Sequence, residues 1–153
     1  VLLQRIHSEN LQEAIMAAIV WERWQQVTLN ALRIMTGFLF LTHGGQKLFG
    51  WFGAEQARTS PIEFLIAGIL EFSGGLAIAL GLGTRWVSFV VAGEMAVAYF
   101  WRHFGFGERG FWPWQNRGEL AALYCFIFLF LWASGGGDWT IERIFRRKSE
   151  QST

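Results

Sequence analysis

The chain has 153 residues, 52% of them hydrophobic and 16% charged, with 15 Phe, nine Trp and only two Pro. That profile excludes a disordered chain and a disulfide-rich secreted one, and it suits one compact helical unit. Thirteen basic against twelve acidic side chains leave a net charge of +1, and with the basic residues scattered or gathered in one short tail there is no nucleic-acid signature.

Residues 1–27 read as a segment of their own. Leu11, Ile15 and Ile19 recur every four residues while Gln12, Glu13, Glu22, Arg23 and Gln26 lie elsewhere. This suits an amphipathic helix in a membrane interface, or else a solvated helix that leads into the first apolar stretch. A secretory signal is not indicated, because Glu9 and Glu13 precede the apolar patch and the patch runs from Ala14 to Trp21 into Glu22. The chain begins at Val1 rather than Met, which leaves its true start open.

Four apolar stretches make up the rest of the chain: Leu29 to Leu48, Ile62 to Leu82, Trp86 to Trp101 and Leu120 to Ala133. A span needs about 20 mostly apolar residues to cross a hydrocarbon core of about 30 Å. The first two meet that length, and the other two reach it by extension through Arg85, Arg102 or Gly118 with snorkelling side chains. In the second the only charges are Glu63 and Glu71, and in the fourth there are none, so no water-facing stripe can be drawn and both face lipid. The sequence predicts an all-α integral membrane four-helix bundle, with an N-terminal amphipathic helix and a short C-terminal helix. Its parts are the interfacial segment 1–27, the transmembrane domain 28–145 and a basic polar tail, 146–153.

The ionisable residues inside these stretches are the informative ones, since charge at membrane depth is costly and turns inward. The first span holds Arg33 and then His43 and Lys47, which are four residues apart and share a face. Glu71 sits in the middle of the second, among Ala67, Gly68, Gly74 and Gly75, and Glu94 is central in the third. An antiparallel hairpin brings these two carboxyls to comparable depth, where one of them is expected to keep its proton. Glu119, at the entry to the fourth span, is shallower. One reading is a structural network of ion pairs and hydrogen bonds that sets helix register, to which Arg33 and Glu119 are assigned. The other is a site, formed by His43, Lys47, Glu71 and Glu94, that binds a polar headgroup or moves a proton.

Small residues suggest the packing. Ser73, Ala77 and Gly81 form one four-residue ridge, Gly75, Ala79 and Gly83 a second, and Ser88, Ala92 and Ala96 a third. The short turn from Gly81 to Thr84 makes spans two and three adjacent. Beyond the third span, a loop rich in Phe, Trp and Gly contains Phe104, Gly105, Phe106, Gly107, Gly110, Phe111, Trp112, Pro113 and Trp114. It reads as an interfacial anchor or a lid, with Trp112 and Trp114 as its prominent rings. The Gly135 to Gly137 run before Asp138 reads as a helix C-cap followed by an N-cap for a helix from Trp139 to Phe145, not as a nucleotide loop.

The tryptophans divide into two belts, with Trp21, Trp24, Trp86, Trp132 and Trp139 near one set of helix ends and Trp51, Trp101, Trp112 and Trp114 near the other. Arg5, Arg23, Arg33, Arg85, Arg143, Arg146, Arg147 and Lys148 lie on the side of the termini, against Lys47, Arg58, Arg102, Arg109 and Arg117 on the other. This excess places both termini in the cytoplasm by the positive-inside rule. The single cysteine, Cys125, excludes an internal disulfide and a C-x-x-C relay within this chain. No Glu is followed at the third residue by His, so a di-metal bundle is not indicated and no metal is expected. A haem held by His43 and His103 is disfavoured, because His103 sits at a helix end beside Arg102.

With these residues in view the chain resembles the DoxX family of small four-helix membrane proteins. The resemblance is carried by Gly37 to Gly53 (GFLFLTHGGQKLFGWFG), by Ala67 to Gly75 (AGILEFSGG) with the turn from Gly81 to Arg85, by Gly118-Glu119, and by the ending from Asp138 to Phe145. It covers about residues 28–145 and implies His43, Lys47, Glu71 and Glu119 as characteristic polar positions, to which Glu94 is added from depth alone. Relatives of this kind include subunits associated with thiosulfate:quinone oxidoreductase and with membrane complexes linked to oxidative stress, but family alone does not set activity. The resemblance leaves two functions as expectations. One is a redox-associated subunit whose cavity holds a quinone, with His43 and Lys47 donating to a carbonyl oxygen and Glu71 or Glu94 relaying a proton. The other is a non-catalytic assembly subunit of a larger membrane complex, whose partners are the lipid bilayer and other membrane subunits. Solute transport is disfavoured, as no unwound or repeated segments are present.

Overall fold

The computed structural model describes residues 2–54, 62–105 and 109–150. Arg58, Phe106 and Gly107, which entered the charge and loop readings, lie outside the described residues, as do the side chains of Arg5, Glu9, Arg147 and Lys148. The described residues are helical throughout their regular structure: α1 (Leu2–Phe49), α2 (Ile62–Leu80), α3 (Thr84–Val97), α4 (Pro113–Asn116), α5 (Glu119–Ser134) and α6 (Ile141–Glu150). The first and fourth apolar stretches fall within α1 and α5, the second runs past α2 into the turn at Leu82, and the third runs from α3 into the helical turns that follow Val97.

Helix α1 runs unbroken through the expected boundary at residue 27, because nothing between Leu11 and Thr36 supplies a proline or a glycine. At about 1.5 Å per residue its 48 residues make a rod of about 70 Å. Its early turns expose Leu11, Ile15, Met16, Ile19, Val20 and Trp21. At 100° per residue these spread around the whole helix rather than along one face, so the segment is less amphipathic than its four-residue repeat suggests. Gly50, in the left-handed region at φ 69°, ends the helix, and its N–H reaches the Gln46 carbonyl.

The turn after α2 has the form expected of a tight helical hairpin. Gly81 (φ 72°) donates to the Ile78 carbonyl and Leu82 to the Ala77 carbonyl, the paired bonds of a Schellman ending. Beyond Val97 the third span continues as wider π-helical turns from Ala98 to Phe104, closed by Gly105. The α5 C-cap is Gly135, as expected, with its N–H on the Leu131 carbonyl. The expected N-cap at Asp138 is corrected to Thr140, whose Oγ1 accepts from the Arg143 N–H at 3.2 Å. Asp138 is ion-paired with Arg143 instead. A threonine directly before Ile141 places its oxygen over the first turn, which Asp138 lies too early in the chain to do.

The helices contact one another as a ring, most extensively α1 with α2 and α3 with α5, then α2 with α3, and most lightly α1 with α5. The core is Phe40, Ile78, Val91, Ala92, Met95, Tyr99, Ala121, Tyr124, Phe128 and Leu131. Small residues set the packing, most closely between α1 and α2 and also between α2 and α3. A Cβ on Gly37 would lie 2.5 Å from the Ala79 nitrogen and 2.7 Å from the Gly75 carbonyl oxygen, so α1 and α2 meet backbone to backbone. Gly75 and Ala79 therefore serve α1, Gly74 faces Val91 of α3, and Ser73 is exposed with its hydroxyl on the Ile69 carbonyl. Close approach needs a small residue on both partners, and α1 supplies Gly37 and Gly44.

This contact makes a prediction. Gly75→Val drives a branched side chain into the α1 backbone at Leu41 and should destabilise by about 1–3 kcal/mol or more. Gly93→Ala, with nothing within 4 Å of the added carbon, should be tolerated. Equal melting temperatures for the two variants in detergent would refute the close-packed seam.

Among the described residues, one helix, Ile62–Leu80, is long and apolar enough to cross a membrane by length and composition, and Glu119–Ser134 is a shorter apolar helix. All nine tryptophans are exposed, as rings that anchor at headgroup level would be.

Candidate functional site

The polar side chains of the bundle gather at two ends. Near the end of α1 that leads into Gly50, the Lys47 ammonium pairs directly with Oε1 of Glu71 on α2. The side chains are 22% and 5% exposed, so this is a shielded pair, and Lys47 also lies 5.5 Å from the centre of the Phe64 ring. The geometry comes from the glycines, because Gly68 lets the Lys47 stem and Leu48 lie directly against α2.

Two more of the expected residues join this pair. His43, one turn before Lys47, lies within electrostatic range of Glu71 and stands edge-on to Tyr124 at 6.1 Å between ring centres. Glu94 of α3 lies within electrostatic range of both Glu71 and Lys47. The structure thus brings His43, Lys47, Glu71 and Glu94 into one cluster drawn from three helices. Within it, both carboxyl oxygens of Glu94 and Oε2 of Glu71 are buried and have no hydrogen-bond partner among the described residues. A cluster with shielded acceptors still open, beside an ammonium and an imidazole, is equipped to take a polar group or to exchange protons with one.

Arg33 and Glu119 stand apart from it. Glu119 is exposed at the start of α5. Arg33 lies four turns along α1 from Lys47, fully buried, and pairs with carbonyl oxygens rather than with an acid. Its guanidinium donates to Ile78 (2.7 Å) and Ala79 (2.6 Å) in the last turn of α2, and to Gly136 (2.7 Å) and Trp139 (2.6 Å) in the α5–α6 connection. A cation at these oxygens satisfies helix-end acceptors and opposes the negative end of the α2 dipole. Arg85 does the same for α5, donating to the Trp132 and Ala133 carbonyls at 2.9 and 2.7 Å.

Several polar residues that sequence reasoning passed over have a part in this framework. Asn30 is fully buried, donates to the Gln26 carbonyl and accepts from the Trp139 N–H, so it holds the same connection as Arg33. Their shared signal was an Asn three residues before an Arg in an apolar run. At the other end Tyr99 donates to the Phe111 carbonyl, and Asn116 donates to the Gly110 carbonyl while accepting from the Gly118 N–H. The Tyr99 contact ties the aromatic loop to the π-helical turns that extend α3, and the Asn116 contacts brace the loop itself. Trp112 and Trp114 are exposed on that loop and stack on each other, 5.0 Å apart between ring centres. No group of three or more His, Cys, Asp and Glu suited to a metal ion occurs among the described residues.

Two surface grooves stand out, of about 550 and 430 Å³, and neither is lined by His43, Lys47, Glu71 or Glu94. Both lie beside the earlier turns of α1.

The chain is similar to known sequences over most of its length. The sequence profile of the DoxX family matches residues 28–104, the segment that holds all four clustered side chains. An uncharacterized protein of Haemophilus influenzae is 35% identical over 131 residues, covering 83% of this chain and 97% of the relative. The inner membrane protein YqjF of Escherichia coli is 30% identical over 131 residues, covering 83% of this chain and 98% of the relative. No solved structure matches.

Proposed function

The chain belongs to the DoxX family, and on that premise we propose that it is a multi-pass inner-membrane protein with a site for the polar end of a quinone-like carrier. Membrane residence is supported by the likeness to YqjF, an inner membrane protein by name, and by the apolar helices and exposed tryptophans. Four passes result if α1, α2, the extended α3 and α5 all cross, and the excess of basic residues on the side of the termini sets these in the cytoplasm. The site is the cluster of His43, Lys47, Glu71 and Glu94. The observation that carries this reading is Glu94, whose two carboxyl oxygens are shielded and without a hydrogen-bond partner among the described residues, beside a paired lysine. Such a group is costly to keep for stability alone.

In this reading Lys47, with His43, donates to a quinone carbonyl oxygen, and Glu94 passes a proton to it or takes one from it. Glu71 holds Lys47 in place. A second reading, a scaffold subunit in a larger membrane assembly, is favoured by the direct Lys47–Glu71 pair, which clamps α1 to α2 with or without a ligand.

The test uses the full chain purified in mild detergent and titrated with a short-chain ubiquinone analogue. His43→Ala and Glu94→Gln should each weaken binding by about 1–3 kcal/mol with the melting temperature nearly unchanged. Absence of saturable binding, or binding indifferent to both changes while stability falls, would leave the scaffold reading.

A further inference from the structure

The helix ring is tight at three of its seams and loose at the fourth. Helices α1 and α5 touch lightly, with Phe40 against Tyr124 and Phe128 at ring separations of 5.3 and 4.7 Å. Toward the earlier turns of α1 the two surfaces part. The groove between them, about 550 Å³, has Leu29, Leu32 and Phe130 as apolar walls and Gln25, Gln26 and Thr28 as polar ones. The second groove, about 430 Å³, shares Gln26 and lies between α1 and the α5–α6 connection, where the charged Glu22, Arg23 and Asp138 line it together with Ile19, Val27 and Trp139.

Along α1 the lining therefore passes, within about three turns, from apolar and uncharged polar residues to a stretch where charged residues join apolar ones. That is the order in which a membrane lipid changes from acyl chain to headgroup, at the point where the apolar part of α1 gives way to its polar residues. The charged part offers both signs. Arg23 suits a phosphate, Glu22 and Asp138 suit an ammonium, and Asp138 is itself balanced by Arg143. At the junction Gln26 Oε1 is buried without a hydrogen-bond partner among the described residues, an acceptor that an ammonium or hydroxyl donor would satisfy. Because Arg143 already answers Asp138, an anionic headgroup would set its charge against Glu22, whereas a zwitterion answers Arg23 with its phosphate and Glu22 with its ammonium.

From this arrangement we infer that the α1–α5 seam binds one phospholipid with a phosphoethanolamine headgroup, the phosphate at Arg23 and the ammonium at Glu22 and Asp138. One acyl chain lies along Leu29, Leu32 and Phe130. This site is separate from the His43–Glu94 cluster and does not depend on what that cluster binds.

Native mass spectrometry of the full chain tests it, after release from vesicles of equal parts phosphatidylethanolamine and phosphatidylglycerol. One ethanolamine lipid should stay bound per chain, preferred over the glycerol lipid by about tenfold, equivalent to about 1.4 kcal/mol. Leu32→Trp, which fills the apolar groove, should remove that lipid. Glu22→Gln with Arg23→Gln should abolish the headgroup preference while a lipid of either kind still binds. Phe130→Trp fills the groove from α5, so a folding defect particular to Leu32→Trp cannot imitate the result. Retention no higher than the vesicle ratio, or retention that ignores all these changes, would overturn the site. So would a dimer that Leu32→Trp dissociates, since the groove would then hold a helix of a second copy.

Discussion

Replacing Arg33 with alanine should be among the most damaging single changes in the chain, although this residue is remote from the candidate site. Arg33 is fully buried, and its guanidinium satisfies four carbonyl oxygens, two at the end of α2 and two in the connection that leads into α6. Hydrogen bonds to a charged donor contribute about 1.5–3 kcal/mol each, and shielded acceptors left without a donor add a penalty, so a loss of about 3–5 kcal/mol is expected after relaxation. Arg33→Lys should recover only part of it, because one ammonium cannot span the planar fork that reaches four oxygens on two segments. Arg85→Ala supplies the comparison, since Arg85 caps α5 in the same way while its contacts are exposed, and its loss should be clearly smaller. Thermal unfolding in one detergent would decide the matter, and equal effects of Arg33→Ala and Arg85→Ala would refute the latch.

Lys47→Met should cost about 3–5 kcal/mol, because it strands the Glu71 carboxylate in a shielded position beside Glu94. The double change Lys47→Met with Glu71→Leu should restore most of the melting temperature, as apolar replacements of a buried pair are often neutral or better. A double-mutant cycle then measures the coupling of the two side chains directly. Additive effects with no recovery would mean that Lys47 does not stabilise the fold through Glu71. The same double variant also bears on function. If it folds well yet binds no quinone analogue, the pair belongs to the site as well as to the clamp.

Helix content and the hairpin between α2 and α3 were legible because they rest on local physics. Period, glycine punctuation and the absence of proline act over a few residues, and the Gly81–Leu82–Gly83 turn folds as its glycines require. The clustering of His43, Lys47, Glu71 and Glu94 was legible for a related reason. Ionisable side chains in apolar helices have few places to turn, so depth and helix face nearly define their neighbours. What the pattern did not reveal was the division of labour among them. That Lys47 takes Glu71 and leaves Glu94 without a hydrogen-bond partner among the described residues depends on α1 lying against α2, which in turn depends on Gly37 and Gly75 meeting.

Arg33 shows the limit most clearly. Its residue type and position assigned it to a structural network of ion pairs and hydrogen bonds, and among the described residues its partners are backbone carbonyls rather than an acid. Backbone carbonyls at helix ends are invisible in a residue string, and they become strong acceptors only once α2 stops at Leu80 and the α5–α6 connection folds beneath it. The sequence by itself determined that the chain is helical, rich in apolar helix surface and furnished with a few buried charges. The tertiary structure decided which helices touch, which charge meets a carboxylate and which meets carbonyls, and where the ring stays open. Close approach between backbones is a property of two surfaces together, and neither helix encodes it alone.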